Sequence, residues 1–553
     1  MLENSAGNAL DPGPAAASAS PAVAAALRTP RPSWRSRLLG AGFLLLTAAG
    51  LFLLYFRQSG LASFNSDGAS QVLQAHDMLH GNVLLRGWWT GDVSFYTTEL
   101  PQYMLVVFFR GLRPDVVHIC GALTYTLTVL LAALLARGRA RGPAGLVRGL
   151  LAAGVMLAPS IASTPVLLEN PDHFGTAVPI LLLLLVLDRA PERWYVPVAV
   201  CALLAWVQVG DKLALVAVAV PVGAVAVTRL IVLAIQLRPL REFRYDTALG
   251  LAAMVSMLLA AGTQLAIRAL GGFDLLPLPR QQLPGTWTQL PGHIRALGET
   301  LLLLFGASGQ GTSEPVFLTQ FHLIGLVLAG LALLAAVVWY FTRVDRVTQV
   351  IVAAVIATMA AGVLTGELAS IGQAHEVAVL LPFGAVLAGR VLPGLLPDRA
   401  RAVRLALRPA GGAWLAVSAA ALCYTATGTP VAAENVSLAG WLTAHGYTEG
   451  LAAYWQASST TVDSGGKTLV APVTDQGTAV YGWEADAAWY DPSTHRADFV
   501  ITTQNPDGPL GGIAASAGQE FFGPPAHTYS VDGYVIAVYR YNLLTRLADR
   551  PPA

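Results

Sequence analysis

Four carboxylates stand close together in a polar stretch near the start of the chain. Asp67 lies in the segment 64–71, and Asp77, Asp92 and Glu99 follow it within residues 57–113. The stretch comes directly after the first long apolar run. These acids are therefore expected near a membrane face, where an ionised side chain is costly unless it has a partner or a task. Residues 57–113 are the first place to look for chemistry.

Further ionisable residues recur between the later apolar runs. They are Glu169, Asp172 and His173 in the loop 159–173, Asp211 and Lys212 after the fifth run, and Glu367, His375 and Glu376 in the loop 367–376. His375 and its neighbouring glutamates could hold a divalent metal, although the spacing does not demand one. Lys212 could bind an anion, or could pair with Asp211 while its stem covers apolar surface. Loops depleted of basic residues look acidic by default, which is the structural alternative for each single acid.

The composition is that of a polytopic, all-α membrane protein. Of the 553 residues 54% are hydrophobic and 12% are charged, and the mean hydropathy is +0.56, whereas a soluble chain carries about a quarter charged residues. About eleven apolar runs are long enough to be transmembrane helices. They lie at 38–56, 115–136, 146–163, 174–190, 194–210, 213–235, 247–269, 318–342, 347–366, 374–396 and 411–432. The shorter pieces 100–112 and 295–307 are predicted as interfacial or re-entrant helices.

Arginine placement predicts the orientation in a cell membrane. Cytoplasmic loops collect Lys and Arg, and every second loop is basic here when the N-terminus is placed inside. An odd number of spans then places residues 433–553 outside. Residues 1–33 are rich in Ala, Pro and Ser without periodicity, which predicts a disordered cytoplasmic tail. Lysine is nearly absent while arginine and alanine abound, a bias that suggests a GC-rich bacterial genome.

The C-terminal region 433–553 changes character. Residues 436–455 have helical spacing with a break at Gly446, and the runs 467–473, 478–483, 498–502 and 534–541 favour short strands. The turns between them are rich in Gly, Pro, Asp and Asn. The region is therefore predicted as a small extracytoplasmic α/β domain.

This layout resembles the GT-C superfamily of membrane glycosyltransferases, in particular its bacterial mannosyl- and arabinosyltransferase-like members. The matching pieces are Phe64-Asn65-Ser66-Asp67, the helical run 68–80, Trp88-Trp89 and Thr98-Glu99-Leu100-Pro101. As sequence the resemblance is specific only over 57–113. As architecture it implies a transmembrane domain 34–432 with a large outer loop 57–113. Many members carry two adjacent acids at the loop start, whereas this chain has Asp67-Gly68.

The resemblance implies an inverting transfer of a sugar from a polyprenyl-phosphate donor to an envelope glycan, lipid or protein. A sugar phosphate already has a good leaving group, so the step needs a base that deprotonates the acceptor hydroxyl, and Asp67 is the predicted base. Glu99 would orient the acceptor or assist. The residues predicted to bind the donor phosphate or substrate are Arg57, His173, Asp211, Lys212 and His375. No metal ligand is assigned, and a divalent metal is neither required nor excluded.

Two other classes of function stay open. A transporter or flippase would place ionisable groups near the span centres and show internal repeats, and neither is found in the sequence. A catalytically inactive scaffold for envelope glycan assembly stays open because the second acid is absent. No Walker-type glycine loop, serine elbow or His-Glu-x-x-His motif occurs, which argues against ATPases, hydrolases and zinc proteases. Basic, aromatic-interleaved patches are also absent, so nucleic acid is not a predicted partner.

Overall fold

The computed structural model describes residues 34–190, 192–276, 288–309, 314–395, 401–433, 435–506 and 511–548. The predicted tail 1–33 lies outside them. The chain divides after Gly50, and the residues that matter for the candidate site all lie in the second unit, Leu51–Ala553.

Helices dominate the chain up to residue 425. They are α1 (Trp34–Ser59), α2 (Ser66–Leu79), α3 (Leu100–Arg110), α4 (Asp115–Arg137), α5 (Gly142–Met156), α6 (Ala177–Arg189), α7 (Val196–Gly210), α8 (Val220–Ile235), α9 (Phe243–Ala269), α10 (Leu290–Leu304), α11 (Val316–Val338), α12 (Arg346–Thr365), α13 (Leu380–Leu395) and α14 (Arg401–Thr425). Short 3₁₀ or π segments at Pro165–Glu169, Phe174–Thr176, Leu215–Ala219, Leu240–Glu242 and Ile371–Val377 lie between them. A helix satisfies its own backbone hydrogen bonds, as a segment inside a lipid bilayer must.

Within the described ranges, six helical segments are long and apolar enough to cross a membrane. They are Leu38–Ser59, Asp115–Arg137, Leu215–Ile235, Leu240–Ala269, Val316–Val338 and Arg346–Thr365. Ile371–Val377 and α13 together make a seventh if the pair, bent by 56°, is one span, and α5 and α7 are apolar but shorter. Each predicted run contains a helix, so a mostly helical membrane protein is confirmed, while the count of eleven stays a prediction.

Two predicted spans are wrong at their C-terminal ends. Helix α14 ends at Thr425, inside the predicted run 411–432. The run 146–163 was expected to be helical throughout, but α5 ends at Met156. Pro159 follows shortly, and proline cannot donate the backbone hydrogen bond that a continuing helix needs. The chain therefore leaves the helix early and forms the loop that carries Glu169 and His173.

The strands are β1 (Trp88–Thr90), β2 (Asp274–Leu275), β3 (Glu449–Ala453), β4 (Leu469–Val473), β5 (Ala485–Asp486), β6 (Phe499–Thr503), β7 (His527–Val531) and β8 (Tyr534–Val538). Five of them form one sheet in the order β4-β3-β6-β8-β7, parallel between β4, β3 and β6 and antiparallel elsewhere. Helices α15 (Val436–Ala444), α16 (Tyr454–Asp463) and α17 (Ala515–Phe522) accompany it. The C-terminal region thus has the mixed content that was expected, and its independence as a domain stays a prediction.

The helical prediction for 436–455 is wrong beyond its first half. Gly446 adopts a φ of +76°, which ends the helix, and 449–453 form the strand β3 instead. A Cβ on Gly450 would lie 2.2 Å from the Phe499 ring, so the strand packs there too closely for any side chain. Pairing with β4 and β6 overrides the local helical spacing. The predicted strand at 478–483 also fails to form, since only isolated bridges occur at Ala479 and Val480.

The C-terminal region packs directly against the segment that carries Asp67. Strand β1 pairs in parallel with β2 and antiparallel with β5, so one small sheet joins residues 88–90 to the C-terminal region. At the start of α2, Ser66 Oγ donates hydrogen bonds to the carbonyl oxygens of Tyr454 at 2.7 Å and Trp455 at 3.0 Å. The N-termini of α2 and α16 therefore meet, and side chains from both reach the same space.

Candidate active site

Asp67 lies in the first turn of α2, and hydrogen bonds fix that turn. Asn65 caps the helix, because its Oδ1 accepts a hydrogen bond from the Gly68 N–H at 3.0 Å. Asn170 Nδ2 donates to the same oxygen at 3.2 Å, which ties the loop before α6 to this cap. A carboxylate near a helix N-terminus is stabilised by the helix dipole, so this turn favours an ionised Asp67.

The packing around Gly68 leaves no room for a second acid next to Asp67. A Cβ on Gly68 would lie 2.7 Å from Val117 Cγ1 and 3.3 Å from Asn170 Cβ, so α2 approaches α4 and the 159–173 loop too closely for a side chain there. The second and third acids near Asp67 come from elsewhere in the chain. Burial and the charge of Asp67 raise the pKa of Glu169, and the same two causes raise that of Glu484, both well above the ordinary value.

Tyr454 links Asp67 to Glu484. The Tyr454 hydroxyl donates a hydrogen bond to Asp67 Oδ1 and lies 3.2 Å from Glu484 Oε2. Tyr454 is the first residue of α16, and Glu484 comes directly before β5. Their exposed fractions are 7% and 5%, whereas Asp67 is half-buried. Asp67 is therefore the member of this group that a substrate can reach.

The surroundings of Asp67 tune its pKa towards neutrality. Burial, and after it the negative charge of Asp172, raises the pKa of Asp67 to about 6. The hydrogen bond from Tyr454 and the charges of His375 and His173 act in the opposite direction. A carboxylate with such a pKa is ionised at pH 7 and still basic enough to take a proton from a hydroxyl group during reaction.

His173 forms the second part of the site. Its φ of +46° lies in the left-handed region that few residues other than glycine adopt. Its Nδ1 lies 3.2 Å from Asp211 Oδ2, and Thr176 Oγ1 donates to the same oxygen at 2.7 Å. Burial lowers the pKa of His173, but Glu376, Asp211 and Asp172 outweigh it and raise that pKa well above the ordinary value. His173 is therefore a cation held among acids.

Glu99 lies beside Thr176 and Asp211 in this second part of the site. It is 2% exposed, and its Oε1 lies 3.4 Å from Thr176 Oγ1, whose only proton goes to the nearer Asp211 Oδ2. Burial and then the charge of Asp211 raise the pKa of Glu99 well above the ordinary value. Among the described residues no recorded hydrogen bond joins Glu99 to Asp67. The geometry fits a role in holding Asp211 and Thr176 better than direct contact with an acceptor.

A cavity of about 540 Å³, including the space at its open mouth, lies beside His173. Its polar lining is His173, Thr176, Asp211, Glu367, His375 and Glu376. The rings of His173 and His375 stack with centroids 5.6 Å apart. His173, His375 and Glu376 each present one ligand atom, and these atoms lie within 4.8 Å of one another. Two imidazoles and a carboxylate are a donor set that suits a zinc-like cation, and the bond from His173 to Asp211 is the usual support for such a ligand.

The remaining predicted binding residues differ in their placement. Lys212 is half-buried. Burial raises the pKa of Asp92, and the charges of His173 and Lys212 act in the opposite direction. The structure shows no ion pair between Lys212 and Asp211 in the part of the chain that it describes, so the expected alternative pairing is not found. Arg57 lies exposed in the last turn of α1, and no recorded contact in the described ranges joins it to the cavity.

The sequence does not predict two members of the site, Tyr454 and Glu484. Tyr454 lies 387 positions after Asp67 in the chain, and Glu484 lies 30 positions after Tyr454. No local pattern predicts such a contact. The only signal in the sequence is the density of aromatic residues around 481–490.

Comparison with known proteins supports the fold. No protein-family model and no curated protein matches this chain. Among solved structures it is similar to ArnT from Cupriavidus metallidurans bound to undecaprenyl phosphate, with a TM-score of 0.52 and 12% identity over 92% of this chain and 99% of that one. Likeness at this identity concerns the fold alone, so the chain shares the overall fold of this membrane protein. Membership of the GT-C superfamily and the mannosyl- or arabinosyltransferase-like subtype stay predictions.

Proposed function

We propose that this protein is a membrane glycosyltransferase that moves a sugar from a polyprenyl-phosphate donor to a cell-envelope acceptor, with Asp67 as the general base. The observation that carries the proposal is the environment of Asp67, a reachable carboxylate in a capped helix turn with its pKa raised to about 6. The ArnT structure contains undecaprenyl phosphate, which supports the class of donor.

The reaction follows from the charges of the site. Asp67 takes the proton of an acceptor hydroxyl, the acceptor oxygen forms a bond to the anomeric carbon, and the bond from that carbon to the phosphate oxygen breaks. The polyprenyl phosphate leaves with the electron pair. Attack from the face opposite the phosphate inverts the anomeric centre. A base placed in this way contributes about 10²–10⁴-fold to the rate.

The leaving phosphate needs positive charge, and the cavity beside His173 offers it. His173 is held as a cation by Asp211 and Glu376, and the ammonium group of Lys212 faces Asp92 nearby. Fixed positive groups stabilise the charge that develops on a leaving group. We assign the donor phosphate to His173, Lys212 and His375, with Asp211 orienting His173. Arg57, exposed at the end of α1, is better placed for a lipid headgroup than for this cavity.

A divalent cation is the alternative source of positive charge in this proposal. An imidazole binds a metal only in its neutral form, so the ion would carry the positive charge in place of protonated His173 and His375. His173, His375 and Glu376 fit one, because their ligand atoms converge within 4.8 Å. Such an ion would screen the donor phosphate. Elemental analysis of the purified chain, compared with the His375→Ala variant, tests this. Stoichiometric metal that is lost in the variant supports the ion, and the same low content in both contradicts it.

We propose that the reaction takes place outside the cytoplasm. The alternation of basic loops supports an inside N-terminus, and with an odd number of spans Asp67 and the C-terminal region would lie on the outer face of the cell membrane. Cysteine accessibility of a variant with a single cysteine at Asp532, in the turn between β7 and β8, checks this directly. Labelling of intact cells by an impermeant reagent is expected.

The decisive experiment compares transfer from a panel of radiolabelled polyprenyl-phosphate sugars by membranes that contain the wild type or Asp67→Asn. Asparagine keeps the size and removes the base. Asp532→Asn is the matched control, because Asp532 is exposed and its φ of +49° suits asparagine. Transfer by the wild type and the control, and its loss in Asp67→Asn at equal protein level, supports the proposal. Equal transfer by all three contradicts Asp67 as the base, and no transfer from any donor favours the scaffold or transporter readings.

A further inference from the structure

Two carboxyl groups face one phenol hydroxyl at the candidate base. Tyr454 Oη donates to Asp67 Oδ1, and Glu484 Oε2 lies 3.2 Å from the same Oη. A phenol has a single proton and can donate it to only one oxygen. If that proton goes to Asp67, the contact with Glu484 is a hydrogen bond only when Glu484 carries a proton of its own. An ionised Glu484 would set two acceptors against each other in a buried position, which is costly.

We propose that Glu484 is kept protonated and donates to Tyr454, so that Tyr454 donates to Asp67 and orients it. The Glu484 carboxyl proton points to Tyr454 Oη, the Tyr454 hydroxyl proton points to Asp67 Oδ1, and Asp67 alone is ionised. Glu484 and Tyr454 are then positioning residues that the C-terminal region supplies to the base. The inference deepens the proposed transferase function and rests on it only for the role of Asp67 as base.

The surroundings of the two carboxyls decide which of them holds the proton. Glu484 is 5% exposed and faces the negative charges of Asp67 and Asp172, and no ion pair is recorded for it within the described ranges. Burial and those charges raise the pKa of Glu484 well above the ordinary value, although the neighbouring hydroxyl groups of Tyr454 and Ser70 act in the opposite direction. Asp67 instead sits half-buried at a helix N-terminus and faces two imidazoles.

Other titratable groups also face these three side chains. They are Glu169, Asp172 and His173 from the segment before α6, His375 from the segment before α13, and Tyr481 from the loop before β5. The two acids disfavour a second negative charge beside Asp67, and the two histidines stabilise the one that is there. Their sum therefore favours one ionised carboxyl, at Asp67, over two.

The backbone holds Glu484 and Tyr454 in place for this role. Glu484 has a φ of +46°, a region that costs free energy for a residue with a side chain. Ser70 Oγ on α2 donates to the Glu484 carbonyl at 3.0 Å, and Ser66 Oγ donates to the Tyr454 carbonyl at 2.7 Å. The helix that carries Asp67 thus also fixes both of its partners. Residues held in this region of φ cluster at functional sites.

The protonation of Glu484 can be measured without any transfer assay. Infrared difference spectra of the purified full-length chain at pH 7, wild type minus Glu484→Gln, separate a protonated carboxyl from a carboxylate. We expect the variant to lose a protonated-carboxyl band. The exposed Glu520 is the matched control, and Glu520→Gln should lose only carboxylate bands. Loss of carboxylate bands in Glu484→Gln would overturn the proposal.

The pH profile of transfer tests whether the chain of hydrogen bonds tunes the base. Tyr454→Phe removes the bond that lowers the pKa of Asp67, so the acid limb should move to higher pH by about one unit. Glu484→Gln replaces one neutral donor by another and should leave the position of the acid limb in place, whatever its effect on rate. An acid limb that moves to lower pH in Glu484→Gln would mean that a negative charge was removed, which contradicts the proposal. Retained transfer in Asp67→Asn would refute the base, and the infrared band would still decide the state of Glu484.

Discussion

Two groups of buried charges in this molecule are built in opposite ways. The acidic cluster, which comprises Asp67, Glu99, Glu169, Asp211 and Glu484, gathers carboxyls with histidines as the main counter-charge. The arginine cluster consists of Arg390 with Asp188 and Asp345, at 2.8 and 2.5 Å, and Arg346 with Asp246 at 3.0 Å. Both hold charges in a membrane protein, but only the second matches each charge with its opposite.

The completeness of the pairing separates a structural role from a functional one. Arg390 also donates to the Leu135 carbonyl at 2.7 Å and to Thr348 Oγ1 at 3.2 Å, so it joins three helices. Within the described part of the chain, each cluster has buried carboxyl oxygens without a hydrogen-bond partner, Glu99 Oε2 and Glu169 Oε1 in the acidic cluster and Asp188 Oδ2 in the arginine cluster. The clusters therefore differ in their counter-charge, because Asp188 is paired with Arg390 and the two glutamates have no recorded ion pair in the described ranges. Native proteins rarely leave buried polar atoms unsatisfied, and carboxyls with raised pKa values are concentrated at functional sites. The arginine cluster therefore fits a structural role, because it holds helices together. The acidic cluster fits a functional role, because its carboxyls have raised pKa values.

The largest expected effect is a loss of transfer activity without a loss of stability when Asp67 is replaced. Asp67→Asn should lower transfer by about 10²–10⁴-fold and should not lower the melting temperature at pH 7.5. The folded-state pKa of about 6 lies above the ordinary value, so the ionised form opposes folding above that pH, and asparagine removes this penalty. The advantage of the variant should shrink as the pH falls from 6 towards 4. Thermal melts of the detergent-solubilised wild type and variant at pH 7.5 and at pH 4 measure this difference in melting temperature. A variant that melts lower at pH 7.5 would place Asp67 with the structural charges.

In the arginine cluster we expect the opposite outcome, a loss of stability when one charge is removed. Arg390→Met leaves Asp188, which is 5% exposed, without its cation and should cost about 3–5 kcal/mol of stability. The matched control is Arg295→Met, whose ion pair with Glu299 is at the surface, with 82% of the arginine side chain exposed. That change should cost no more than about 1 kcal/mol. Equal melting temperatures for the two variants would contradict a structural role for Arg390.

The sequence predicts the parts of this molecule that depend on local patterns. Apolar runs predict the helices because each span satisfies its own backbone, and Asp67 stands out because an acid after the first span is costly. Where a long-range contact determines the secondary structure, the local sequence pattern does not predict it. Residues 449–453 form a strand because β4 and β6 lie beside them. The early end of α5 at Met156 follows instead from a local signal, Pro159, to which a search for apolar runs gives no weight.

The candidate site shows the same division. The loops that carry His173, Asp211 and His375 are recognisable as polar breaks between apolar runs, but their convergence on one cavity is a property of the fold. Glu99, which was expected to orient the acceptor or to assist, lies beside Thr176 and Asp211, and its role stays a prediction. The two partners of Asp67 come from the C-terminal region, whose strands the local pattern only partly predicts.

The smallest expected effect is a loss of stability at Gly68, and it tests whether close packing excludes a side chain next to Asp67. Gly68→Ala should cost about 1–3 kcal/mol, because its Cβ would lie 2.7 Å from the stiff Val117 side chain. Gly262→Ala in α9 is the control, since nothing lies within 4 Å of that Cβ, and it should be neutral or stabilising by up to about 1 kcal/mol. Val117→Ala combined with Gly68→Ala should cost less than the sum of the two single changes, because removing Cγ1 makes the room that the new methyl group needs. If Gly68→Ala melts like the wild type, the first turn of α2 has space for a larger side chain, and close packing no longer explains why the carboxyls around Asp67 come from distant parts of the chain.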